Sequence, residues 1–310
     1  MKALVCKTMK LWLLGPPELS VRTKASEVWP RFLTLSLESI FESTLSSHES
    51  SFLECALDIL QPTNMPDELL TFHKHAGENV TPQMIMEAAN LFSTHYGIWS
   101  PETPQAGQRI RMGPSTLCAQ VLPEAIRSQC FYVRALAPSR PKRLIGNAFA
   151  CTWEFAAAGQ KKRVCWITQL VVAAEYRKQG VATNMLEMLK VGHDSFDFYG
   201  IASSQPFAIM AACRAFGGGL EQESRRLSRE STVACLAASS IPYLAGAVFP
   251  TDGTNLTIDT RFHVDHTEPE KALEVIGQPT DEWPTGRRWL LGRLPPGHEY
   301  LMMIAASTAV

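Results

Sequence analysis

The chain has 310 residues, 45% of them hydrophobic and 19% charged, with a formal net charge of −1. That length buries a proper core in one or two domains, and the composition is that of an ordinary globular protein. Near-zero charge leaves no global field to attract nucleic acid or an anionic membrane surface, so any anion site must be local.

The opening "MKALVCKTMKLWLLGPP" is basic, but Lys7 and Lys10 interrupt its apolar run, which makes a poor secretion signal. No apolar stretch approaches the roughly 18 residues of a membrane span. Eight cysteines are scattered with no two within four residues, so no CxxC pair exists and a reducing, cytoplasmic setting is expected. Residues 1–77 read as an N-terminal extension, helical or partly disordered, with short helices near 31–45 and 51–60 broken off by Pro62 and Pro66. The main domain is expected over 78–310, with its core at 78–219, an excursion at 220–254 and closing strands at 255–306.

The first well-marked element is the helix of "VTPQMIMEAANLFSTHYGIW". Thr81 stands at the cap, Pro82 takes the first helical position, and Val80 and Ile85 occupy staple positions. A second helix is expected over Ser115–Ile126. Three strands then form a meander, "CFYVRALA", "LIGNAFACTWEF" and "VCWITQLVV", separated by turn-rich segments. The third strand is almost unbroken in its apolarity, which predicts burial on both faces. A helix "GVATNMLEMLK", a strand "FDFYGIAS" and a helix "QPFAIMAACRAF" stopped by Gly217–Gly219 follow. Late strands are predicted in "NLTIDTRFHVDH" and "YLMMIAA", with a capped helix from Thr267 to Glu270 onward between them.

The junction Arg177–Lys178–Gln179–Gly180–Val181–Ala182 carries the chemistry. It joins a buried strand to a helix, and the N–H groups of a helix's first turn have no partners inside the helix. The macrodipole adds positive character, and Gly180 lets an anion approach the backbone closely. Together these predict a pyrophosphate cradle, with Arg177 and Lys178 reaching further phosphates. Neither a G-x-G-x-x-G nor a G-x-x-x-x-G-K-[ST] pattern follows a strand, which disfavours dinucleotide and P-loop sites.

This stretch resembles the R/Q-x-x-G-x-G/A signature of the GNAT superfamily of acyl-CoA-dependent N-acetyltransferases. Two other matches, Arg143–Ala148 and Arg214–Gly219, fall at a strand entry and a helix end; only 177–182 follows a strand and opens a helix. The order of elements over 78–219 also resembles that superfamily. In particular "VCWITQLVV", "YGIASSQP" and "RFHVDHTEP" are similar to a fungal subgroup of it. The resemblance implies an α/β GNAT fold, a mixed, mostly antiparallel sheet flanked by helices. It implies acetyl-CoA as co-substrate, its pantetheine arm in a gap between the strands at 165–172 and 196–203 and bonded to the main chain of Leu170, Val171 and Val172. The cradle of Arg177, Lys178, Gln179, Gly180, Val181, Ala182 and Thr183 would then hold the pyrophosphate. An amine, expected to be a small molecule, would accept the acetyl group.

The proton-transfer groups are less determined. The carboxylate many members place on the strand before the cradle is replaced here by Thr168 and Gln169, and the tyrosine of the last core helix by Cys213. Cys213 could act as an acid or be core; Ser203 and Ser204 are comparable candidates. Glu154 could serve as base or simply end a strand in solvent. His95, Tyr96 and Trp99 could line the acceptor pocket or pack the core. In "His263-Val-Asp265-His266" strand alternation sends 266 away from 263 and 265, so no metal is expected and the group is read as fixing the next helix. With neither a strand carboxylate nor a tyrosine, a GNAT-like protein that binds CoA without turnover is the rival reading.

Overall fold

The computed structural model describes residues 20–24, 69–139, 142–192, 196–226, 228–245, 248, 257–279 and 288–306. Its strands are β1 (Ser20–Lys24), β2 (Leu69–Ala76), β3 (Cys130–Ala137), β4 (Arg143–Ala157), β5 (Gln160–Val172), β6 (Phe198–Ser203), β7 (Thr257–Asp259) and β8 (His298–Ala305). The helices are α1 (Pro82–His95), α2 (Pro114–Val121), α3 (Val181–Met188), α4 (Pro206–Phe216), α5 (Leu220–Arg226), α6 (Arg229–Ala237), α7 (Pro242–Ala245) and α8 (Thr267–Gly277). One sheet runs in the order β1-β2-β3-β4-β5-β6-β8-β7. Every neighbouring pair is antiparallel except β5–β6.

The three-strand meander is present, with Cys130 opposite Cys151 and Thr152 opposite Cys165. Apolar side chains on its two faces feed two cores. One lies largely against α3 and α4 and includes Ile145, Cys165, Ile167, Met185, Leu186, Ile209 and Tyr300. The other lies against α1, α2, α6 and α7 and includes Ala88, Leu117, Phe149, Trp166, Cys235, Leu244 and Leu301. Burial on both faces accounts for the near-continuous apolarity of β5. α1 begins as its sequence dictates: Thr81 Oγ1 accepts the Met84 N–H at 3.2 Å, and Val80 and Ile85 are both buried.

Four expectations need correction. The strand β2 lies within the segment read as an extension, so the sheet starts before residue 78; the expected helices at 31–45 and 51–60 lie outside the described residues. The second helix ends at Val121, before Pro123, and 3-10 turns follow over Glu124–Gln129. The strand expected through "NLTIDTRFHVDH" stops at Asp259, because Asp259 Oδ1 takes the Arg261 N–H at 2.9 Å and Arg261 adopts a left-handed φ of 57°. Thr267 is not the cap of α8; Asp265 Oδ1 accepts its N–H at 2.7 Å. Asp265 does fix the helix start, as read from the sequence.

Candidate functional site

β5 and β6 pair from Val164–Phe198 only as far as Ile167–Ile201. Beyond that point β5 stays paired with β4, Gly146 opposite Val172, while β6 stays paired with β8, Ser203 opposite Tyr300. The sheet therefore opens between Thr168–Val172 and Ala202–Ser203. The Ala173 N–H donates to Ile145 O at 2.8 Å, towards β4. By strand alternation Val171 also turns its main chain to β4, and Leu170 and Val172 turn theirs into the gap. The Val172 carbonyl confirms this, accepting Arg177 Nε at 3.2 Å. Of the three residues expected to bond a pantetheine arm, Leu170 and Val172 turn their main chain into the gap and Val171 turns its own to β4.

The gap leads to the first turn of α3. Lys178 and Gly180 hold left-handed φ values of 62° and 78°, which turn the chain sharply into the helix. Gly180 is the N-cap, with no side chain to cap the amides and no acidic residue in the first turn. A Cβ built on Gly180 would meet nothing within 4 Å. The site is thus left open for a ligand anion. Gly180, Val181, Ala182 and Thr183 line a cavity of about 2220 Å³ together with Leu170, Val172, Ser203 and Ser204.

Two cradle residues, Arg177 and Gln179, are engaged elsewhere. The guanidinium of Arg177 is engaged with Val172 O, His95 O and the Glu268 carboxylate, tying the end of β5 to α1 and α8. Gln179 folds back so that Nε2 donates to Glu175 O at 2.7 Å, and the residue lies off the cavity wall. Lys178 lines the cavity with its ammonium 5.1 Å from the centre of the Phe207 ring.

The acid–base candidates separate cleanly. Cys213 is fully buried in the core behind the cavity wall, and burial, then the Glu223 charge, pushes its thiol up to about 12. It is core, not an acid facing the gap. Glu154 pairs with Lys161 at 2.6 Å near the β4–β5 turn. It stands opposite Arg163, seven residues along β5 from Leu170, roughly 20 Å from the gap. Ser204 lines the cavity, as does its neighbour Ser203. Gln169, where a carboxylate was sought, is buried with Oε1 accepting Asn147 Nδ2 at 2.9 Å.

The acceptor-side aromatics are divided. His95 and Tyr96 line the cavity, whereas Trp99 packs edge-on against Phe262. Among the described residues no group of three His, Cys, Asp or Glu comes together that could hold a metal, and no helix is long and apolar enough to cross a membrane. Sequence reading missed Glu299, which it left in the turn before the last strand. It is a buried carboxylate at 6% exposure, and the signal for it is its period-two spacing with Leu301 and Met303, both buried.

No protein-family model and no curated protein matches the chain. Solved structures similar to it include an aminoglycoside acetyltransferase from an uncultured soil metagenomic sample, at 23% identity over 39% of this chain and 69% of that one, with a TM-score of 0.25. An aminoglycoside 6'-N-acetyltransferase from Acinetobacter baumannii matches at 13% identity over 39% and 69% of the two chains, with a TM-score of 0.26. A ribosomal-protein-alanine N-acetyltransferase from Brucella melitensis matches at 14% identity over 39% and 70%, also at 0.26. At these TM-scores the likenesses carry no argument for function; the site's own geometry does.

Proposed function

We propose that the protein is an acetyl-CoA-dependent N-acetyltransferase of the GNAT type that acetylates a small-molecule amine. One observation carries the reading: an open parallel strand pair leads directly to a glycine-capped helix N-terminus, within one cavity. A pantetheine arm is an extended amide chain, and the main chain of Leu170 and Val172 offers it strand-like pairing. The unpartnered amides of Val181, Ala182 and Thr183 suit the pyrophosphate. An N–H near Leu170 would polarise the thioester carbonyl as negative charge develops on its oxygen.

A small acceptor is favoured by the charges around the cavity. Arg109, Arg177, Lys178, Arg214, Lys271 and Arg288 line it against Glu221, Asp265 and Glu268. Such a wall suits a polyanionic co-substrate and is not an acidic groove for a basic peptide. The absence of a carboxylate at Thr168 and Gln169, and the burial of Cys213, favour the second reading, a CoA-binding protein without turnover. Release of free thiol from acetyl-CoA in the presence of an amine panel separates the two. Amine-dependent release supports the enzyme; tight acetyl-CoA binding with no release supports the binding protein.

A further inference from the structure

Glu299 lies beside the place where the sheet opens. Leu301 and Met303, two and four residues along β8, pack in the core under α1, α2, α6 and α7, whereas Tyr300 and Met302 pack in the opposite one. Glu299 therefore faces the α1–α7 side. β6 ends at Ser203, opposite Tyr300, so Ser204 and Glu299, the next residues outward on the two chains, lie at the same end of the sheet. Ser204 lines the cavity, and so does Tyr96 at the end of α1.

The surroundings of the carboxylate are unusual. Tyr96 from α1 and Tyr243 from α7 both feel its charge, which adds to burial in raising their phenols. The Tyr243 hydroxyl accepts Trp166 Nε1 at 3.2 Å, and Thr260, just beyond β7, donates its hydroxyl to Gly297 O at 3.4 Å. Among the described residues no ion pair compensates the carboxylate, and burial lifts it to about 7, with the nearby Thr260 hydroxyl opposing the rise. A carboxylate buried without a cation is costly to stability, and such groups with raised pKa cluster where a proton is handled near neutrality.

We propose that Glu299, acting through Ser204, receives the first proton of the acceptor ammonium. This rests on the acetyl transfer proposed above. The ammonium proton passes to Ser204 Oγ while the hydroxyl proton passes to Glu299. The freed nitrogen lone pair forms the C–N bond with the thioester carbonyl carbon, and the C–S bond breaks. The second proton on nitrogen goes to the departing sulfur, and Glu299 returns its proton to solvent. Glu299 is thus a positioning and proton-holding residue, with Ser204 meeting the amine.

The test follows thiol release from acetyl-CoA with spermidine, kanamycin and tryptamine as probe amines, across pH, beside calorimetric acetyl-CoA affinity. For wild type, kcat/KM should rise through about pH 7. Glu299→Gln should lower it about 10²- to 10⁴-fold, flatten that rise and leave acetyl-CoA affinity unchanged. Glu299→Asp should recover part of the rate with a pH-dependent limb. Ser204→Ala should lower the rate and keep its own limb near the same pH. A Glu299→Gln protein with wild-type rate and profile overturns the inference while the acetyltransferase reading stands. Should that variant fail to fold, unchanged rates in both Glu299→Asp and Ser204→Ala overturn it equally. Wild type that binds acetyl-CoA but turns over none of the probes contradicts the acetyltransferase reading, and the inference falls with it.

Discussion

Glu299 trades stability for its position. Burial raises its pKa from an ordinary 4.5 to about 7, so between these values the folded protein holds a proton that the unfolded chain has lost. Stability must then fall as pH rises through that window, by about 3 kcal/mol in all; below it the penalty is absent, and above it the penalty is complete. Glu299→Gln removes the titration. Urea unfolding should therefore find the variant gaining on wild type between about pH 4.5 and pH 7, and parallel stability curves would contradict the burial argument. Gly200 gives a second residue-level case. A Cβ there would lie 2.1 Å from the Trp166 ring, which roofs the last paired residues of β5 and β6. Gly200→Ala should cost about 1–3 kcal/mol of overpacking, read from the urea midpoint. Such positions are hard to find in a sequence. Gly200 is one glycine in an apolar run, and Glu299 follows a Pro-Pro-Gly turn that reads as solvent; only the register of β8 reveals which way it points.

At the scale of elements, α3 is held from behind and left open in front. Just past its end, Leu189 O and Val191 O accept Lys74 Nζ from β2 at 3.1 and 2.9 Å. That ammonium is buried over the Phe131 ring, and burial lowers its pKa to about 8. Lys74→Met keeps the apolar stem and strips both donors, so it should cost about 2 kcal/mol in urea unfolding. Its effect on acetyl-CoA affinity should be small, because the binding end of the helix is untouched. Arg177 is the other support. Its three partners lie on β5, α1 and just inside α8, and Glu268 is more than half exposed, so the ion pair itself contributes little. Arg177→Ala should lower stability by about 1 kcal/mol through the two lost carbonyl bonds. An affinity loss without a stability loss would restore Arg177 as a phosphate ligand. The sequence could not separate these roles: an arginine three residues before a cradle glycine suits either, and the choice depends on where His95 and Glu268 stand in space.

For the whole molecule, the legible parts were those set by local chemistry. The capped α1, the meander, the strand–turn–helix junction and the glycine stop after α4 follow from caps, periodicity and glycine. The unread parts depended on distant partners. β2 was obscured by "FHKH", polar side chains that are buried or half-buried only because Lys74 finds the end of α3 and His75 the Tyr132 ring. The excursion resolved into α5, α6 and α7, and Trp153 Nε1 donating to Cys235 O at 2.9 Å anchors α6 to β4. That contact spans 82 residues and leaves no mark in local pattern. The same holds for the cavity, whose walls come from the cradle, α4, the end of α1 and α8.

The central claim is that the α3 N-terminus binds the phosphates of acetyl-CoA. Its most direct test is calorimetric titration of acetyl-CoA into wild type, Gly180→Asn and Gly180→Asp. Both side chains tolerate the left-handed backbone and have nearly the same shape, and the cradle has room for either Cβ. They differ in one negative charge placed among the first-turn amides. Wild type should bind, Gly180→Asn should lose modestly, and Gly180→Asp should lose at least about tenfold more from charge repulsion at the dipole's positive end. Equal affinity for the Asn and Asp proteins, both folded, would mean that no phosphate rests there and would contradict the claim.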